Sequence, residues 1–376
     1  MKAYLTLLYC SILIFASCKK DNSTVLPTEN FRTVLVYLAA NNNLQLEAYK
    51  NLEQMENTIG DIDGNLLVYA RLPNTEPALY EITRKTGATG GRRKIKSYLP
   101  HNSSDPNVMR TIIDDVFSLY PAKSTGLILW SHATGWVPSE AGPVKLKSFG
   151  DDNGRHMDIT DLNQALPTKF DFIMFDACSM ASVEVLYEIK DKAAVFIASP
   201  GEVISNGMPY DKMTNDLFDP SNDSYQRIAQ KYYQHYNGLS GLYQSATISV
   251  INASKLEQFA VDTKNLLTTF PVLHHDLNRN KVQRMDFDRE GNPLIAFDYW
   301  DFVNQNFENS IAKKKVQESL LNVVAYRANT PYFNGFKIDS NAGLTVYIPH
   351  KDNAGIPHDF YKTLKWYTAS GFNHLF

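Results

Sequence analysis

Between residues 31 and 210, apolar runs alternate with stretches of helical spacing. Residues 33–40 (TVLVYLAA) are an unbroken apolar, β-branched run. That pattern suits a strand covered on both faces. Asn41, Asn42 and Asn43 break it. Leu44, Leu46, Tyr49, Leu52 and Met55 then predict a helix over 44–59. Residues 65–70 read as a second strand. Residues 80–83 and 94–98 flank a Gly-rich turn at 87–91 and read as a hairpin. The turn leads into Arg92, Arg93 and Lys94 but lacks phosphate-loop spacing and a following helix, so it reads as a solvated basic turn. An amphipathic helix is predicted over 108–119, with Pro106 near its start and Pro121 beyond its end.

Residues 126–130 form a third core strand and run straight into Ser131, His132, Ala133, Thr134, Gly135 and Trp136. A polar stretch follows to Arg155, then a short helix at 161–166. Residues 170–175 are a fourth strand, ending in Asp176, Ala177 and Cys178. A helix over 179–189, a strand over 194–198 and a loop over 199–210 complete this part. Strands alternating with helices predict an α/β fold with a mostly parallel sheet. Such sheets bind ligands outside the carboxyl ends of their strands. His132 and Cys178 each sit just past such an end. Beyond 211 the pattern loosens. Helices are expected at 225–236, 253–267, 294–307 and 311–326, and strands at 245–250 and 343–348. The predicted organisation is a leader at 1–17, a tether at 18–30, a core at 31–210, and a C-terminal α/β part at 211–376 that completes or extends the core.

Composition excludes some classes. With 44% hydrophobic and 20% charged residues, the chain is globular rather than disordered. A net charge of -3 argues against a nucleic-acid partner. The three cysteines are Cys10, Cys18 and Cys178. Lys2 and the apolar run from Ala3 to Ala16 read as a secretory signal. Ala16 and Ser17 before Cys18 resemble a bacterial lipobox, which makes Cys18 the lipidated first residue of the mature chain. The expected location is the cell envelope, on a lipid anchor in the outer membrane. The alternative is ordinary signal-peptidase cleavage.

Cys178 is then the one thiol of the mature chain away from the anchor. It is either a buried structural cysteine or a nucleophile. A nucleophilic thiol needs a base to take its proton and later protonate a leaving amine. His132 has the strand-end position for that work. His274 and His275 are adjacent in sequence, and adjacent residues do not share a face. No HExxH, CxxC or GxSxG motif occurs, which leaves zinc chemistry and a serine hydrolase without their spacing.

Residues 36–44 (VYLAANNNL), 128–132 (ILWSH) with Gly135 and Trp136, and 175–180 (FDACSM) resemble the clostripain family of cysteine peptidases. The resemblance implies a caspase-like sheet flanked by helices and protein or peptide substrates. It implies His132 as general base and acid and Cys178 as nucleophile, with no third residue required. The oxyanion donors would be the N–H groups at Ala133, where the family commonly has Gly, and at Cys178. Asp176 would select Arg or Lys, with Glu202, Asn206, Gly207 and Tyr210 completing the pocket. Asp176 has a second reading as a cap on the following helix. Lys145 and Lys147 are candidate self-cleavage sites or parts of a solvated loop. No cofactor is required, and calcium is left open at Asp151, Asp152, Asn153 and Gly154, which lack an EF-hand pattern. The expected activity is an exported endopeptidase cutting after Arg or Lys. The alternatives are a peptidase-like lipoprotein that only binds peptides, and a transpeptidase.

Overall fold

The computed structural model describes residues 30–87, 89–138, 148–221, 223–270, 277–287, 294–350 and 358–376. The chain opens with β1 (Arg32–Ala39), α1 (Gln45–Thr58) and β2 (Gly64–Arg71), then a hairpin of β3 (Ala78–Thr86) and β4 (Thr89–Ser97). Helix α2 (Pro106–Leu119) leads to β5 (Ser124–Trp130). A small hairpin of β6 (Phe149–Asp152) and β7 (Arg155–Met157) precedes α3 (Ile159–Ala165), β8 (Phe170–Asp176), α4 (Val183–Glu188) and β9 (Ala193–Ala198). Next come α5 (Tyr210–Met213), α6 (Ser224–Asn237), β10 (Thr247–Asn252), α7 (Leu256–Thr269), β11 (Phe297–Asp298), α8 (Tyr299–Asn306), α9 (Ile311–Val323) and β12 (Val324–Asn329). The last elements are β13 (Tyr332–Phe333), β14 (Phe336–Lys337), β15 (Thr345–Val346), α10 (His358–Tyr361) and α11 (Lys365–Ala369).

Among the described residues the main sheet has nine strands, in the order β12-β10-β9-β8-β5-β1-β2-β3-β4. The middle strands β9, β8, β5, β1 and β2 are parallel. Antiparallel pairs border them on both sides. The expected α/β architecture is observed. Strand β1 shows why: every residue of it is buried. Leu35, Tyr37 and Ala39 pack on one face with α2, α3, α4 and α7. Val34, Val36 and Leu38 pack on the other with α1 and α6. Burying a Val or Leu contributes about 1.5–3 kcal/mol, so an unbroken apolar run is stable only where both faces are covered. Helix α2 begins where the sequence signals it. Asp105 accepts from Asn107 N at 2.8 Å and Val108 N at 3.3 Å, and Pro106 takes the first helical position.

The sheet runs on past residue 211, because β10 pairs with β9 and β12 with β10. Glu184 on α4 ties in later chain: Oε1 accepts from Tyr347 N at 2.8 Å and from the Tyr361 hydroxyl at 3.2 Å. Burial pushes this carboxyl up to about 7.

Four local expectations are corrected. The helix expected over 179–189 is α4, Val183–Glu188, capped by Ser182 Oγ. Residues before it are held elsewhere: Ser179 N donates to Gly201 O at 2.7 Å and Ala181 N to Ser199 O at 2.9 Å. The polar stretch before Arg155 contains β6, whose Asp151 and Asp152 are buried. The helix expected over 311–326 stops at Val323, and Val324–Asn329 is the edge strand β12. The helix expected over 294–307 begins only at Tyr299, after β11, which pairs with the short β15. Among the described residues no helix is long and apolar enough to cross a membrane. The leader, Cys18 and the His274–His275 pair lie outside the described residues.

Candidate active site

Register delivers the two reactive side chains together. In the parallel pair β5–β8, Trp130 lies opposite Asp176. His132 and Cys178 each follow two residues later, at the carboxyl edge of neighbouring strands. Both line one cavity of about 120 Å³, with Leu44, Trp130, Asp176, Val203, Ser205 and Gly207 among the other walls.

The loop bearing His132 is fixed by its backbone. Ser131 N donates to Asp176 O at 3.3 Å, and Gly150 N donates to His132 O at 2.9 Å. Ser131 Oγ donates to Ala39 O at 2.7 Å. His132 Nε2 lies 2.7 Å from Asn43 Oδ1. Ala133 is buried and is not among the residues with positive φ, so this position does not demand glycine. Gly135 does: its φ is 73°, and a Cβ there would sit 3.0 Å from Ser179 O. The two loops touch at that point. Gly135→Ala is expected to cost about 1–3 kcal/mol, read as a fall in Tm. An unchanged Tm would mean the loops part at no cost.

Cys178 is half-buried and in no disulfide. Its Sγ accepts from Val203 N at 3.3 Å and donates to Val203 O at 3.5 Å. An amide donor aimed at sulfur favours the thiolate. Ser179, next in the chain, has φ 59°, a left-handed conformation uncommon for a residue with a side chain.

Asp176 is buried beside them. Met208 N donates to both carboxylate oxygens, at 3.2 and 3.1 Å, and the Tyr210 hydroxyl donates to Oδ2 at 3.0 Å. A Cβ on Gly207 (φ 68°) would stand 2.9 Å from that carboxylate. Burial pushes Asp176 up from 3.8 to about 6, against the pull of those two donors. The helix-cap reading is overturned, since α4 starts seven residues later and is capped by Ser182.

The clostripain family model, Peptidase C11, matches residues 36–372. The chain belongs to the clostripain family. It is a cysteine peptidase, as its sequence resemblance implied. It is similar to an inactive zymogen C11 protease from Parabacteroides distasonis, at 31% identity and TM-score 0.79, over 92% of this chain and 99% of that one. It is also similar to a secreted C11 cysteine protease from Bacteroides thetaiotaomicron, solved in complex with an irreversible peptide inhibitor. There the identity is 31% and the TM-score 0.77, over 91% of this chain and 99% of that one. A clostripain from the same organism, in complex with the peptide inhibitor BTN-VLTK-AOMK, matches at 27% identity and TM-score 0.51, over 59% of this chain and 97% of that one. No match is found among curated proteins.

In this clostripain-family chain, several residues expected in the pocket stand beside it. Glu202 is turned away: its carboxylate accepts from Phe287 N at 2.8 and 2.9 Å. It anchors the loop to later chain and is not a cavity wall. The Asn206 side chain is exposed and not in the lining. Its carbonyl accepts from Asn51 Nδ2 at 3.5 Å. Tyr210 is fully buried and reaches Asp176, not the cavity. Asn51, missed in the sequence, accepts from Trp130 Nε1 at 2.9 Å and so braces a wall residue. Gly207, expected in this loop, does line the cavity, whereas Val203 and Ser205 have no signal in the sequence, because only the path of the loop reveals them. Lys145 and Lys147 lie outside the described residues.

The Asp151–Gly154 stretch does not fit calcium. Asp152 Oδ2 accepts from Ser103 N at 2.6 Å and Ser103 Oγ at 3.0 Å, and lies 3.4 Å from Arg71 Nε. Oδ1 accepts from Asn41 Nδ2 at 2.5 Å. Gly154 N donates to Asp151 Oδ1 at 2.8 Å. Those donors hold oxygens that an ion would need. Among the described residues no group of three or more His, Cys, Asp or Glu side chains could hold a metal ion.

Proposed function

We propose that this peptidase hydrolyses peptide bonds after Arg or Lys, with Cys178 as nucleophile and His132 as general base and acid. The observation that carries the reading is the shared cavity: His132, Cys178 and Asp176 line the same small space. His132 takes the thiol proton, and Cys178 Sγ attacks the carbonyl carbon. Charge develops on the carbonyl oxygen, where the N–H groups of Ala133 and Cys178 serve as donors. The intermediate collapses, His132 protonates the leaving amine, and a thioester remains. His132 then takes a proton from water, the water oxygen attacks the thioester, and the released Sγ regains a proton. The reaction uses only these side chains and needs no cofactor.

Asp176 supplies the selection. A carboxylate beside the nucleophile attracts a substrate cation, and in a small cavity little water screens the pair. The inhibitor VLTK bound by the relative ends in lysine, which supports a basic residue in the same place here. The test is a panel of fluorogenic peptides ending in Arg, Lys, Asp, Asn or Leu. Turnover of the Arg or Lys peptides is expected. Turnover of Asp or Asn peptides alone would sink the assignment of Asp176.

The same reading puts the enzyme at the cell envelope, on a lipid carried by Cys18. The support is the apolar run ending in Ala16, Ser17 and Cys18. Mass spectrometry of the mature N-terminus should find an acylated Cys18. An unmodified terminus would remove the anchor.

A further inference from the structure

We propose that Asn43 is a positioning residue for His132, holding the imidazole of the Cys178–His132 pair in one orientation. Asn43 Oδ1 stands 2.7 Å from His132 Nε2. An amide oxygen only accepts, so Nε2 carries the hydrogen. The neutral ring then presents its lone pair at Nδ1. That nitrogen takes the Cys178 proton and later gives it to the leaving amine. Loss of Asn43 removes this bond and its bias toward the competent tautomer.

The support around Asn43 is built for placement. Asn43 lies in the turn after β1, and the two residues before it are clamped. Asn41 Nδ2 donates to Asp152, and Asn153 N donates to Asn41 O at 2.9 Å. Asn42 Nδ2 donates to Asp151 O at 2.9 Å, and Asn42 Oδ1 accepts from Leu44 N at 2.9 Å. The β6–β7 hairpin that holds this turn also holds the histidine, through Gly150 N to His132 O at 2.9 Å. One hairpin therefore grips both partners of the Asn43–His132 bond. This accounts for the buried Asp152, which does not fit a cation and sits away from the cavity walls. An amide suits the task because it orients the ring without a charge. A carboxylate would hold the imidazole protonated to higher pH.

The inference rests on His132 and Cys178 acting as proposed, so the experiment reads the pair directly. Alkylation of Cys178 by iodoacetamide is followed against pH, alongside peptide turnover. The reagent is uncharged, so Asp176 in the same cavity has no cation to attract. Asp151 and Asp152 in the hairpin are unchanged in every variant. Asn43→Ala is expected to lower kcat about five- to tenfold, the scale of one hydrogen bond, with KM little changed. Asn43→Asp is expected to move the imidazole-dependent limb of the alkylation profile up by about one unit. A merely structural role would not move that limb. Wild-type kcat in Asn43→Ala together with an unmoved limb in Asn43→Asp would overturn the proposal. Activity surviving Cys178→Ala is a separate outcome, and it would overturn the underlying reading instead.

Discussion

Cys178→Ala is expected to reduce kcat/KM for the best basic peptide by about 10⁴-fold or more. The sulfur forms the covalent bond, and among the described residues there is no other thiol. His132→Ala is expected to lose about as much, and the double variant little more. Groups that act as one unit fail together, so their losses do not add. Simple additivity, with the double variant falling by the product of the two losses, would mean that the residues act in separate steps. The fold should survive the change, because Cys178 is half-buried and Ala keeps its Cβ. A thermal melt of each variant checks this. Residual turnover near the wild-type level in Cys178→Ala would end the proposed mechanism.

The second large effect is expected at Asp176. Asp176→Asn removes the charge that faces the substrate cation and leaves an amide of the same shape. Losing one partner of a buried charge pair costs about 2–5 kcal/mol. That is a fall of about 30- to 5,000-fold in kcat/KM for Arg and Lys peptides. Peptides ending in Leu should change little. The pH dependence carries a sign that separates binding from folding. The carboxyl is raised from 3.8 to about 6, so in the unliganded enzyme it is neutral below that pH. Cleavage of basic peptides should therefore fall as pH drops through about 6, and the Asn variant should lack that limb. Stability runs the other way. The folded state holds the proton more tightly than the unfolded chain, so the stabilisation is present at low pH and is lost as pH rises through about 6. The shift corresponds to about 3 kcal/mol at pH 8. Asp176→Asn should thus keep or raise Tm at pH 8 while destroying selectivity. A lowered Tm at pH 8 would show that the carboxylate is structural.

The clasp at Glu184 shows the same physics away from the site. Its carboxyl is fully buried and raised to about 7, and it still anchors Tyr347 and Tyr361. Burial alone therefore does not identify a functional acid. What distinguishes Asp176 is the cavity it faces.

Taken by itself, the sequence determined the strands at the heart of the sheet and the two reactive side chains. Strands β1, β5 and β8 were legible because burial on both faces leaves apolar runs, and the run in β8 begins after the exposed Asp171. His132 and Cys178 were legible because each follows such a run directly. Periodicity is a local property, and it is reliable where burial is uniform. Elements in which polarity and burial do not match a regular pattern were not legible: β12 is half exposed and resembled the end of a helix, and β6 is buried throughout but carries Asp151 and Asp152 and resembled a loop. The tertiary structure alone decided which way the loop side chains turn. Glu202 faces Phe287, 85 positions away, and Tyr210 faces Asp176, 34 positions away. Asn43 meets His132 across 89 positions. No local pattern encodes such contacts, because they exist only once parallel strands have brought their carboxyl ends to one edge.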